Sequence, residues 1–228
     1  MTAAARWKDL CMDTTGGEVL GRFWADVLGL EFRPDDEDGN VIGPGEGHGI
    51  WMCRVPEFKS VKHRVHIDVR TSSVDDLVDA GATVVLSAEE SGLPFTVLQD
   101  PEGGEFCAFL RDDVPDYRFF QLVVDAADAH GIARWWGEVF GTEPVTHGTP
   151  GWWSLERVPG MPYERLTFGT VPERKAIKNR IQWDVRADVE EMAAAGASMV
   201  RAKDDEIGWT VMTDPEGNEF CVFDRVAG

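Results

Sequence analysis

Arg64, His66 and Asp68 alternate with Val65, Ile67 and Val69, which puts an imidazole and a carboxylate on the polar side of one strand. The three aliphatics fall on the side that a helix would cover. An imidazole so placed is suited to ligate a metal or to hydrogen-bond a ligand. Asp13, Asp68, Asp125 and Asp184 all fall near strand ends, where they can act as paired acids at a pocket rim or as turn and cap residues. Other chemistries lack their signatures: no glycine-rich phosphate loop opens a helix, and neither a GxSxG elbow nor HExxH occurs. The nine tryptophans carry a second signal. Trp24, Trp135 and Trp136 have helix spacing and Trp183 sits on the helix side of its strand. Trp7, Trp51, Trp152, Trp153 and Trp209 remain to line or rim a cavity, where flat rings stack on planar or cationic ligands.

Asp100-Pro101-Glu102-Gly103 leads into Glu105-Phe106-Cys107-Ala108-Phe109, and half a chain length later Asp214-Pro215-Glu216-Gly217 leads into Glu219-Phe220-Cys221-Val222-Phe223. Proline with its fixed φ and glycine with its freedom make each tetrapeptide a tight turn feeding a closing strand. The repeat implies one module copied once. Within the first half, a strand over 7–13 precedes a helix carrying Val19, Leu20, Phe23, Trp24, Val27 and Leu28, which Gly29 stops. Hairpins are expected over 34–49, then a strand over 50–55. The order restarts at 64–69, with a short helix over 74–80 capped by Ser73 and stopped by Gly81, then strands over 82–86, 95–99 and 105–110. Residues 112–116 read as the linker. The second half follows the same steps, with a strand over 119–125, a helix carrying Ile132, Trp135, Trp136, Val139 and Phe140, and the His66 strand answered by 180–185.

Composition narrows the partners. The 228 residues suffice for a core without staples, and 41 acidic against 22 basic side chains leave a net charge of −19. Such a field disfavours nucleic acid and anionic membranes and suits a cationic ligand. No apolar run reaches membrane-spanning length, and residues 1–6 lack the apolar stretch of a secretory signal, so a cytoplasmic location is expected. Cys11, Cys53, Cys107 and Cys221 show no CxxC spacing and are expected to be reduced.

The chain resembles tandem members of the vicinal oxygen chelate superfamily, the glyoxalase, bleomycin-resistance and extradiol-dioxygenase group, and its glyoxalase-like branch most of all. The resemblance rests on Phe23-Trp24-Ala25-Asp26-Val27-Leu28-Gly29, on His66-Ile67-Asp68-Val69 and on the two Asp-Pro-Glu-Gly turns. It implies an α+β fold of two modules, 1–114 and 115–228. Each pair of βαβββ units would curl into a cup of mixed sheet with helices outside and a small molecule on the concave face. Catalytic members hold one divalent metal inside the cup. Carried over, the cup-facing positions are Asp9, Trp51, His66 and Cys107 in the first half and Gln121, Thr167, Gln182 and Cys221 in the second.

Two functions follow. In the leading one, the metal positions are degenerate, no cofactor is required, and the protein sequesters a cationic or aromatic metabolite or antibiotic. In the alternative, Asp9, His66 and Cys107 hold zinc, iron, manganese or nickel in the first cup, for a lyase, isomerase or dioxygenase acting on vicinal oxygens. Gln121, Thr167 and Gln182 are poor ligands, so the second cup would be structural. Tandem duplication permits a monomer by internal pairing as well as a homodimer, with pockets within or between modules.

Overall fold

The structure, a computed structural model, describes residues 3–34 and 39–225. Four units follow one another. The first comprises β1 (Ala5–Thr14), α1 (Gly17–Leu28), β2 (Glu31–Arg33), β3 (Asn40–Ile42) and β4 (Ile50–Arg54). The second comprises β5 (Val65–Thr71), α2 (Val74–Asp79), β6 (Thr83–Leu86), α3 (Ala88–Ser91), β7 (Thr96–Gln99) and β8 (Glu105–Leu110). The third comprises β9 (Phe119–Ala126), α4 (Ala129–Phe140), β10 (Trp152–Glu156) and β11 (Arg165–Thr170). The fourth comprises β12 (Ile181–Ala187), α5 (Val189–Ala194), β13 (Ser198–Arg201), β14 (Thr210–Thr213) and β15 (Glu219–Phe223).

Local chemistry sets these boundaries. Gly29 and Gly141 end α1 and α4 in the left-handed conformation, at φ 71° and 69°, where a Cβ would be strained. Ser73 caps α2 by accepting from Asp75 N–H, and Asp188 caps α5 in the same way. The sequence did not announce α3, a single turn held by a Ser87–Glu90 capping box. In the third unit the expected third strand shrinks to one bridge between Val145 and Ser154. Of the hairpin run over 34–49, residues 35–38 lie outside the described residues.

Each sheet is built from two units, and the two come from different halves. The eight-stranded sheet runs β13-β14-β15-β12-β1-β4-β3-β2, the fourth unit joined to the first. The seven-stranded sheet runs β10-β11-β9-β5-β8-β7-β6, the third unit joined to the second. The seams are antiparallel, with Asp9 opposite Asp184 in one and Asp68 opposite Gln121 in the other. Each sheet therefore draws its residues from both modules.

Apolar residues from both sheets and the two long helices make one core. On α1, Phe23 and Trp24 meet Phe106 of β8 edge-on at 5.9 and 5.2 Å. On α4, Trp136 meets Phe220 of β15 and Trp183 of β12 at 5.0 and 5.3 Å. Each of these rings is buried, and truncating one to alanine is expected to cost about 3–5 kcal/mol.

The expectation of four reduced cysteines is corrected. Cys11 and Cys53 form a disulfide with Cα atoms 6.4 Å apart, while Cys107 and Cys221 are free and buried. β1 and β4 are parallel neighbours, with Cys11 beside Trp51 and Asp13 beside Cys53, so the two thiols share one face of adjacent strands. Their 42-residue separation conceals that proximity.

Candidate functional site

Each sheet presents one face rich in polar side chains, the cup face of the sequence expectation. The seven-stranded cup collects His66 and Cys107 from the second unit with Gln121 and Thr167 from the third. The eight-stranded cup collects Asp9 and Trp51 from the first unit with Gln182 and Cys221 from the fourth. All eight positions named from sequence lie on strands of these sheets, four to each. Asp9 is thus in a different sheet from His66 and Cys107, and the metal trio Asp9, His66 and Cys107 is not assembled. The cause is the exchange of units between halves, which no local sequence pattern reveals.

In the seven-stranded cup the carboxylate beside His66 is Asp68. Its Oδ1 lies 2.8 Å from His66 Nδ1, and its Oδ2 accepts from Gln121 Nε2 at 2.7 Å. Gln121 Oε1 accepts from the Thr167 hydroxyl at 2.9 Å, and Thr167 pairs with Ser154 at 2.9 Å. The five side chains are buried and form a continuous polar chain across β5, β9, β11 and β10. Burial opposes charging His66, but the Asp68 carboxylate against its ring outweighs that, and the pKa is raised above the ordinary imidazole value. The Cys107 thiol is pushed far up, first by burial and then by Asp68.

The ligand atoms of His66, Asp68 and Cys107 lie within 4.8 Å of one another. Nitrogen, oxygen and sulfur donors in this number match a zinc site that keeps one position open for substrate. The donor types fit a metal, although Asp68 already uses both oxygens on His66 and Gln121.

The eight-stranded cup is chemically different. Lys8 Nζ lies 2.8 Å from Asp9 Oδ2 and 3.6 Å from Asp184 Oδ2, and Trp51 Nε1 donates to Asp9 Oδ2 at 2.8 Å. Burial, and after it the neighbouring Asp9, hold the Asp184 carboxyl well above the usual range. The Cys221 thiol is likewise raised by burial and by Asp184. Gln182 donates to Asn179 O at 3.1 Å.

A bulge between Trp7 and Asp9 explains why Lys8 was missed. It turns Lys8 toward Asp9 and puts Trp7 on the core side, fully buried against Tyr163 at 5.3 Å. Trp7 is therefore not a cup residue, contrary to simple alternation. Trp153 also leaves the set, lying against His130 of α4 at 4.1 Å. Trp51 and Trp152 remain exposed, and Trp209 stacks on Phe223.

An aromatic pair stands at equivalent places in both cups. Phe95 and Phe109 are 5.2 Å apart in one, and Trp209 and Phe223 are 5.5 Å apart in the other. Phe109 and Phe223 follow the cup cysteines by two residues in both copies, a signal present in the repeat. Cations accompany them: Lys8 sits over Phe223 at 4.0 Å, and Arg70 and Arg165 flank Phe120 at 4.4 and 5.3 Å.

A glyoxalase-like domain profile matches residues 9–109 and again 121–223, most of the chain. The chain belongs to the glyoxalase-like domain family. No curated protein matches it in sequence. Among solved structures, this glyoxalase-like chain is similar to glyoxalase I from Zea mays, with 14% identity and a TM-score of 0.67 over 96% of this chain and 92% of that one. It is also similar to a dioxygenase candidate from Bacillus subtilis, with 12% identity and a TM-score of 0.64 over 100% and 87%. Identities so low carry the fold and not the activity.

Proposed function

We propose that this glyoxalase-like protein binds planar aromatic small molecules and sequesters rather than converts them. The observation that carries this reading is the repeated aromatic pair, Phe95 with Phe109 and Trp209 with Phe223, above the buried polar floor of each cup. Flat rings on a sheet face suit stacking, and Trp51, 45% exposed beside Asp9, adds a further face. Titrating metal-stripped protein with planar cationic dyes and aromatic antibiotics tests it. Saturable binding is expected, weakened at least tenfold in one cup by Trp209→Ala and in the other by Phe95→Ala. A panel in which nothing binds, or binding indifferent to both substitutions, overturns the reading.

The second reading is a metal-dependent lyase, isomerase or dioxygenase in the seven-stranded cup, favoured by the proximity of His66, Asp68 and Cys107. These three would hold the ion, which as a Lewis acid would polarise vicinal oxygens of a substrate. Gln121 and Thr167 would orient Asp68 through the chain already described, with Thr167 acting through Gln121. Elemental analysis separates the readings: about one equivalent of metal, lost in His66→Ala, supports the enzyme.

A further inference from the structure

The Cys11–Cys53 bond takes no part in either function described above, and the internal repeat supplies a control for what it does. β9 and β11 are the copies of β1 and β4 and pair in the same parallel sense. Val123 stands beside Thr167 and Asp125 beside Gly169, just as Cys11 stands beside Trp51 and Asp13 beside Cys53. Val123 and Gly169 therefore occupy the positions of the two cysteines, and the strands there pair through the backbone with no covalent link. In β1 and β4 the bond is added to a junction that the fold already makes.

Position makes this pair chemically available. Leu10, Met12, Ile50 and Met52 turn into the core, so the intervening Cys11, Trp51 and Cys53 share the opposite face, the polar one. Both cysteines are half-buried there, within reach of a reagent from solvent, whereas Cys107 and Cys221 are only 9 and 6% exposed. Burial, and after it Asp68 or Asp184, pushes the Cys107 and Cys221 thiols upward, which keeps them protonated and out of exchange. The ladder sets the Cα atoms of Cys11 and Cys53 6.4 Å apart, inside the span of a disulfide, so the bond closes without backbone movement.

We propose that Cys11 and Cys53 are a reversible thiol–disulfide site, oxidised by peroxides and reduced by dithiols, whose state tunes the eight-stranded cup through Trp51. In oxidation, one thiolate attacks a peroxide oxygen and breaks the O–O bond, giving a sulfenic acid and a hydroxide that leaves as water. The second thiol then attacks the sulfenic sulfur, forming the S–S bond and releasing a second water; each sulfur gives up one electron and the peroxide takes both. In reduction, a thiolate of the dithiol attacks one sulfur to form a mixed disulfide, and its second thiol displaces the protein, so the dithiol leaves as a cyclic disulfide and both protein sulfurs end as thiols. Trp51 is coupled to this bond because Cys11 faces it across the ladder and Cys53 follows it by two residues on the same face, with Sγ 3.7 Å from the Trp51 carbonyl oxygen. Its indole is tied to β1 by the 2.8 Å bond to Asp9, so closing the disulfide fixes the ring and opening it returns freedom. The coupling rests on the aromatic-binding reading of the cup; the thiol chemistry does not.

Counting reactive thiols on the folded, full-length protein tests the site. After stoichiometric hydrogen peroxide, a maleimide is expected to label no cysteine. After dithiothreitol it should label two, mapped to Cys11 and Cys53 by peptide mass spectrometry, and renewed peroxide should remove that labelling without linking chains on a non-reducing gel. Cys53→Ser should label once, at Cys11, whether or not dithiothreitol is added, with circular dichroism checking that it folds. Equal labelling before and after reduction, thiols released only in denaturant, or reclosure between chains overturns the proposal. The coupling is read by titrating proflavine into Phe95→Ala protein, in which binding to the other cup is already weakened. The oxidised form is expected to bind the dye about threefold more tightly than the reduced form, a difference that Cys53→Ser and Trp51→Phe abolish. Equal affinity in the two forms overturns the coupling. Proflavine that binds neither form counts against the aromatic-binding reading instead, and the thiol count still decides the redox site.

Discussion

His66 and Asp68 show how a strand's polar face becomes a site. Alternation put both on one side of β5, but the network joining them to Gln121, Thr167 and Ser154 required three strands from another unit. Because the His66 pKa is raised in the fold, its charge-paired contribution to stability is complete below the unfolded value near 6.5. It is lost as pH rises through the folded value. Asp68→Asn removes the opposing carboxylate and leaves burial unbalanced, so the His66 pKa is expected to fall below its ordinary value. Nuclear magnetic resonance titration of the ring should show this, with about 1–3 kcal/mol of stability lost at pH 6.

The Asp-Pro-Glu-Gly turns have more to do than reverse the chain. Asp100 Oδ1 accepts from Glu102 N and Gly104 N at 3.0 and 2.7 Å, and Asp214 repeats this with Glu216 N and Asn218 N, which shapes each turn. The glutamates then reach across to another unit. Glu102 accepts from Thr15 N and Gly16 N at 2.9 and 2.8 Å and from the Thr14 hydroxyl at 2.6 Å, holding the turn that starts α1. Glu216 does the same for Ala127 N and Asp128 N before α4. These contacts tie together units that share a half but lie in different sheets. Glu102→Ala is expected to cost about 1–3 kcal/mol in chemical denaturation, since it strands the Thr15 N–H and removes the Thr14 hydroxyl and Arg180 contacts, while Glu102→Gln costs less.

At the scale of the molecule, the exchange of units makes each half incomplete. A chain of residues 1–114 has β1 without β12 and β5 without β9, leaving two long central strand edges bare. Expressed alone, it is expected to pair with a second copy or to aggregate. Mixing it with residues 115–228 should yield a one-to-one complex, which size-exclusion chromatography with light scattering would detect. A monomeric, cooperatively folded half would contradict the dependence of each sheet on both halves.

The sequence by itself determined the four units, the duplication and the α+β class, because apolar periodicity, capping residues and the glycines after α1 and α4 act over a few residues. Through the family resemblance it also put His66, Cys107, Gln121 and Thr167 on strands, where the structure has them. Only the tertiary structure decided which strands become neighbours, for that depends on contacts between residues far apart in the chain. That choice put Asp9 opposite Asp184 rather than beside His66, brought Asp68 to the thiol of Cys107, and joined Cys11 to Cys53. The bulge at Lys8 was equally hidden, because it arises where β1 meets β12 and leaves no mark in the alternation of β1 alone.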